Sequence, residues 1–252
     1  MANYIVYLQW GERYTQQHID RLFDQVNKNC SVPFEFMTMR QCHVGDDFNH
    51  LQYVQNQTYR GDGDPESSIT EETQSILRED AGGMCHFRKF LMFRYDWDYF
   101  EDDDTILYLD LDSIILKDLA YFFELNNDKP WIARSYDMDE NGMWQRLYRY
   151  RSCPYYNSSV LVWKPGQNRK IINEFKRSDI VSKNFYQYGM LDNWVHHRFG
   201  PWTYNDTNRN WFNTYPPDIV NTNDNKVLTD DTIIRSLAGM TQKEKDEILC
   251  LS

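Results

Sequence analysis

Two aspartates one residue apart, Asp110 and Asp112, are the residues of this chain best placed to do chemistry. They interrupt an apolar stretch at 105–119, TILYLDLDSIILKDL, with one apolar run before them and a second after. An unbroken apolar run without alternation reads as a strand buried on both faces. In open α/β sheets, ligands bind beyond the carboxyl ends of such strands. Two carboxylates at that place are costly unless something compensates them, and a divalent cation is the usual compensation. In extended chain the period of two puts both acids on one side. A D-x-D pair there can hold one hard metal ion, and the ion can hold a diphosphate. The competing reading is a cap or a surface turn, but a surface turn has no need of Leu109, Leu111 and Ile114 packed around it.

Further charged residues sit where burial would make them expensive. Arg88 and Lys89 lie among Phe87, Phe90, Leu91 and Phe93 in a helical-looking segment at 84–95. A cation on a mostly buried helix needs an anionic partner, such as a diphosphate, unless it snorkels to solvent. Arg146, Arg149 and Arg151 alternate with Tyr148 and Tyr150 in the locally basic segment 143–151. Interleaved arginines and aromatics suit stacking on bases or sugars and pairing with phosphate, and an amphipathic surface helix carries the same pattern. His196 and His197 are adjacent and so point to different sides of a helix, which suits a structural or surface role better than chelation. Asp62 and Asp64 lack the remaining ligand positions of a calcium loop.

The elements that position these residues follow from periodicity. A first strand is expected at 4–8, and Thr15 looks like a helix cap. Ile19, Leu22, Phe23 and Val26 then follow at helical spacing as one apolar stripe. A second strand at 33–39 completes β-α-β, which implies a parallel pair, with room for a nucleotide at the strand end near Trp10. No G-x-G-x-x-G follows the first strand. Residues 41–80 are polar and without period, and 101–104 read as a solvated acidic turn. A short helix is expected at 118–125 and strands at 131–133 and 160–163. Helices are expected around Ile171, Ile172 and Phe175 and at 188–199, the latter carrying Asp192. Residues 200–231 read as mostly loop. Thr241 with Glu244 reads as the capping box of a short terminal helix.

The 252 residues suffice for one sizeable α/β domain, and no Pro/Gly/Ser-rich linker divides them. A net charge of −11 argues against a protein that coats nucleic acid. The five cysteines match no zinc or disulfide frame, so reduced thiols and a cytoplasmic location are expected. No signal peptide and no spanning segment is expected.

Four segments, in order, resemble family-8-like bacterial and phage glycosyltransferases of the GT-A fold. They are YLQWGERYTQQHIDRLF, HFRKFLMFR, ILYLDLDSIILKDL and YYNSSVLVWKPGQ. The resemblance implies a single Rossmann-like α/β domain over 1–252, with a mainly parallel central sheet flanked by helices. Residues 41–80 would be an insertion and 200–252 a loop-rich C-terminal part. It implies transfer of a hexosyl or pentosyl group from a nucleotide-sugar, UDP-linked, to a hydroxyl, with retention of anomeric configuration. Asp110 and Asp112 would hold Mn²⁺ or Mg²⁺, with Leu111 between them at the donor. Tyr7, Gln9 and Trp10 would line the uridine pocket. Lys89, with Arg88, would contact the donor diphosphate, and Asn157 and Ser158 the sugar hydroxyls. Asp192 would orient the sugar or the acceptor or serve as base. Two departures stand out. Gly189-Met190-Leu191-Asp192 replaces the G-D-Q segment, and no His follows His197 to complete the metal site, although 233–239 fills its place.

Two acceptors fit this frame. Hydroxymethylated cytosine in phage DNA would use Arg146, Arg149 and Arg151 as the grip on the backbone. A surface polysaccharide or lipid-linked saccharide would also suit a cytoplasmic enzyme without membrane insertion. The rival classes are a non-catalytic nucleotide-sugar binder and a sugar nucleotidyltransferase, and the spare Gly11-Glu12-Arg13-Tyr14 argues against the second.

Overall fold

A computed structural model describes residues 1–8, 14–38, 99–125, 128–134, 156–168, 170–171, 191–200, 206–216, 218–222, 228–237 and 242–249. Its centre is the apolar run before the two aspartates. These residues form β3 (Thr105–Leu109), in which every residue is buried. One neighbour is β1 (Asn3–Tyr7), paired parallel through Val6 and Tyr108. The other is β6 (Tyr156–Trp163), paired antiparallel with Leu107 opposite Val162 and Leu109 opposite Val160. β2 (Glu35–Thr38) lies parallel outside β1. Beyond β6 come β5 (Trp131–Arg134), antiparallel to it, and β7 (Asn213–Thr214), parallel to β5. The order is β2-β1-β3-β6-β5-β7. Among the described residues, five strands therefore share one direction and β6 opposes them, so the sheet is mainly parallel, as expected. A second, three-stranded sheet has the order β4-β9-β8, from β4 (Ser113–Ile115), β8 (Val220–Asn221) and β9 (Ile234–Ser236).

Helix α1 (Gln16–Lys28) starts at Thr15, whose extended φ of −90° and ψ of 173° turn the chain into the helix. His18 accepts the Thr15 backbone N–H at 3.1 Å through Nδ1, closing a capping box with imidazole in the place of the usual Glu or Gln. Ile19, Leu22 and Val26 are buried against Ile5, Leu107, Leu109, Val160 and Val162. Phe23, expected in that stripe, is 42% exposed and packs on Phe36 instead. Among the described residues the other α-helices are α2 (Ala120–Phe123), α3 (Leu191–Phe199) and α4 (Gln242–Ile248).

Two local expectations need correction. The acidic turn at 101–104 is not wholly solvated. Asp104 is buried, and its carboxylate accepts the N–H groups of Ala2 at 2.6 Å and Glu101 at 2.9 Å, which ties the chain start to β3. Asn157, Ser158 and Ser159 do not lead into β6 but belong to it. Cys30 is a free thiol. Among the described residues, no helix is long and apolar enough to cross a membrane.

Candidate donor site at the end of β3

The D-x-D pair sits in a tight turn between β3 and β4. Ser113 donates its N–H to the Asp110 carbonyl at 3.0 Å. The two acids are therefore not in extended chain, and the spacing argument for a shared side does not apply to them. They take different partners. Asp110 accepts the Tyr108 hydroxyl at 2.6 Å. Tyr108 is fully buried, and burial, followed by the Asp110 charge, holds its phenol well above its usual range, so it remains a donor. Asp112 is buried, and its Oδ2 accepts both the Tyr14 hydroxyl at 2.9 Å and the Lys245 ammonium at 2.5 Å.

Helix α1 holds the turn from beneath. Positions 18, 21 and 25 lie three and four apart and so share a helix face. Arg21 donates to the carbonyls of Leu111 at 2.6 Å and Ser113 at 3.0 Å. Burial lowers its pKa to about 10 while Asp112 pulls it the other way, so the guanidinium stays charged at neutral pH. Gln25 accepts the Ile115 N–H at 3.0 Å. His18, with Nδ1 accepting from Thr15, carries its proton on Nε2, 3.4 Å from Asp246 of α4. Adjacent residues of α4, Lys245 and Asp246, thus tie it to the turn and to α1.

On the other side, β6 brings its polar head to the same place. Asp110 donates its N–H to the Ser159 carbonyl at 3.0 Å. The Asn157 side chain accepts the Ser159 N–H at 2.9 Å, and Asp192, in the first turn of α3, accepts the Ser158 N–H at 3.1 Å. Ser236 of β9 donates to the Ser159 hydroxyl at 3.0 Å, and Leu237 donates its N–H to the Asp112 carbonyl at 3.2 Å. The strand at 234–236 therefore lies against the D-x-D turn.

The structure brings together Asp110, Leu111, Asp112, Asn157, Ser158 and Asp192 of the expected site. The Leu111 side chain is in the core, and its carbonyl serves Arg21. Tyr7 ends β1, stacked on Phe36 with ring centroids 5.1 Å apart and buried in the core. Burial, and secondarily Asp20, raise its phenol pKa while Thr38 opposes them. Gln9, Trp10, Arg88, Lys89, Arg146, Arg149 and Arg151 lie outside the described residues. Sequence reasoning missed Tyr14, Arg21, Tyr108 and Lys245. A signal for Arg21 was present, since polar residues at 18, 21 and 25 on an otherwise apolar-faced helix ask for polar partners.

The donor set fits a divalent ion poorly as it is folded. A carboxylate oxygen has two lone-pair sites, and Asp112 Oδ2 already accepts two donors, one of them a cation. Among the described residues, no group of three or more His, Cys, Asp or Glu side chains could hold a metal ion.

No protein-family model matches the chain, and no curated protein matches it. Solved structures do. The galactosyltransferase LgtC, in complex with donor and acceptor sugar analogs, matches with a TM-score of 0.52 and 13% identity, covering 98% of this chain and 95% of LgtC. Mouse xyloside xylosyltransferase 1 matches with a TM-score of 0.51 and 12% identity, covering 94% of this chain and 97% of that one. The chain has the fold of these glycosyltransferases.

Proposed function

We propose that this chain transfers a sugar from a nucleotide-sugar, UDP-linked, to a hydroxyl acceptor. One observation carries the reading: polar groups converge at the carboxyl end of β3. The D-x-D turn bonds Ser159 of β6 there, the Asn157 side chain accepts from Ser159, and Asp192 of α3 accepts from Ser158. This is the ligand-binding end of an open α/β sheet, on a fold shared with glycosyltransferases. That LgtC binds donor and acceptor sugar analogs gives the two-substrate reading further support.

In the proposed reaction the bond between the sugar C1 and the β-phosphate oxygen breaks, and its electron pair leaves with the nucleoside diphosphate. The acceptor oxygen forms the new bond to C1, and its proton passes to a base, the role proposed for Asp192. Arg21 places positive charge beside the diphosphate end, where negative charge grows. Lys89 and Arg88 are proposed to add to it. Tyr7, Gln9 and Trp10 are assigned to the nucleoside, and Asn157 and Ser158 to the sugar hydroxyls. Mn²⁺ or Mg²⁺ is the cofactor expected of the D-x-D pair. With Asp112 committed as described, no step here is routed through it.

The acceptor hydroxyl is assigned to hydroxymethylated cytosine in DNA, gripped by Arg146, Arg149 and Arg151. Affinity for duplex DNA that falls steeply with salt would bear this out. Affinity for oligosaccharides alone would move the assignment to a polysaccharide or lipid-linked acceptor. Release of UDP from a UDP-sugar, lost in Asp110→Asn and Asp192→Asn, tests the transfer itself. Full activity in both variants would overturn the site, and binding without any turnover would leave a non-catalytic binder.

A further inference from the structure

We propose that Lys245 is the resident cation of the donor site, and that the nucleotide-sugar is bound and used without a divalent ion. This deepens the transferase reading and rests on it. Asp110 and Asp112 put two negative charges at the end of β3, and Asp112 is almost wholly buried, with its side chain 6% exposed. Such a group must be compensated. The compensation is supplied by the chain itself. Lys245, whose side chain is 3% exposed, lies 2.5 Å from Asp112 Oδ2. Arg21 grips the carbonyls on either side of Asp112. The Asp112 charge is thus met by the Lys245 ammonium, with the Arg21 guanidinium close by, and Asp110 is met by the Tyr108 hydroxyl, so Asp112 presents no unbalanced charge for a divalent ion to fill.

Geometry adds that one oxygen of the pair is already committed. Asp112 Oδ2 has both lone-pair sites filled, by the Lys245 ammonium and the Tyr14 hydroxyl. A divalent ion on that oxygen would have to displace the ammonium and would otherwise stand against it. Nor is Lys245 placed by accident of a loose terminus. The next residue of α4, Asp246, is paired with His18, and His18 is fixed by the cap of α1. An ammonium has three donors. One goes to Asp112, and the proposal gives the others to the diphosphate oxygens, where they stabilise the charge left as the C1–O bond breaks.

The test has two arms that need no known sugar. In the first, Mn²⁺ is titrated into the nucleotide-free protein and followed by the electron paramagnetic resonance of the free ion. Wild type is expected to take up Mn²⁺ only above about 1 mM, and Lys245→Met to take it up at least about tenfold more tightly. In the second, UDP binding is measured by calorimetry in EDTA and in MnCl₂. Wild type should bind equally in both, within about threefold. Lys245→Met should lose about tenfold or more in EDTA and regain it with Mn²⁺. Lys245→Arg keeps the charge and should recover part of the EDTA binding that Lys245→Met loses, and circular dichroism of both variants checks that each is folded. Wild-type binding that collapses in EDTA and returns with Mn²⁺ would overturn the proposal while leaving the transferase reading intact. Failure of UDP, GDP and TDP to bind under either condition would sink the transferase reading itself, and this inference with it.

Discussion

One oxygen of Asp112 ties together residues 98 and 133 positions away, Tyr14 and Lys245. The buried pair makes a stability prediction that is separate from catalysis. Lys245→Met strands a buried carboxylate and should cost about 3–5 kcal/mol, while adding Asp112→Leu to it should recover most of the loss. Urea unfolding of the three proteins measures both. A double variant as unstable as the single one would show that the pair is not the source. His196 makes a second prediction. Burial, and then its neighbour His197, depress its pKa from 6.5 to about 4. The unfolded chain therefore binds a proton between those values that the folded chain refuses. Its contribution is fully present above the unfolded pKa and is lost as pH falls from 6.5 to about 4, amounting to about 3 kcal/mol. The urea midpoint should fall across that window in wild type and much less in His196→Phe. At this scale the sequence was half legible. Asp110 and Asp112 announced themselves by their apolar flanks. The partner of Asp112 did not, because nothing local in the segment around Lys245 points to a carboxylate so far away.

Elements were more legible than residues. The apolar run of β3 and the stripe of Ile19, Leu22 and Val26 in α1 are direct consequences of burial, so they read directly. Phe23 was misplaced because helical spacing alone cannot tell a core position from one at its edge. The head of β6 was expected only to lead into the strand because Asn157, Ser158 and Ser159 are polar, whereas the strand begins at Tyr156. The opposed direction of β6 was not legible either, since strand direction depends on connections and pairings far along the chain. At the end of α3, Gly200 donates its N–H to the His196 carbonyl at 2.9 Å, and a Cβ there would stand 2.3 Å from that oxygen. Gly200→Ala should therefore destabilise by roughly 1–3 kcal/mol and loosen the anchor of Asp192. Thermal unfolding together with UDP release reads both effects. An alanine variant with unchanged stability would mean that the helix end yields without cost.

At the scale of the molecule, the mainly parallel sheet places its one reversed strand beside the central one. β3 and β6 thereby bring a carboxyl end and an amino end together, with the D-x-D turn on one and the Asn-Ser-Ser segment on the other. α1, α4 and the β9 segment bond to the same turn. The first strand, helix and parallel return, β1 to β2, were readable from local periodicity. The docking of β9 beside the D-x-D turn was not, because it is made by long-range pairing of β9 with β4. The proposed occupant of the carboxyl end of β3 is a nucleotide-sugar. A thermal-shift screen of nucleotide-sugars, run in EDTA and again with Mn²⁺, tests it most directly, because a ligand that binds only the folded state raises the melting temperature by mass action. A rise of several degrees with one UDP-sugar, present in EDTA and little changed by Mn²⁺, is the predicted result. No rise with any nucleotide-sugar in either condition would contradict the account, leaving a glycosyltransferase fold without the activity.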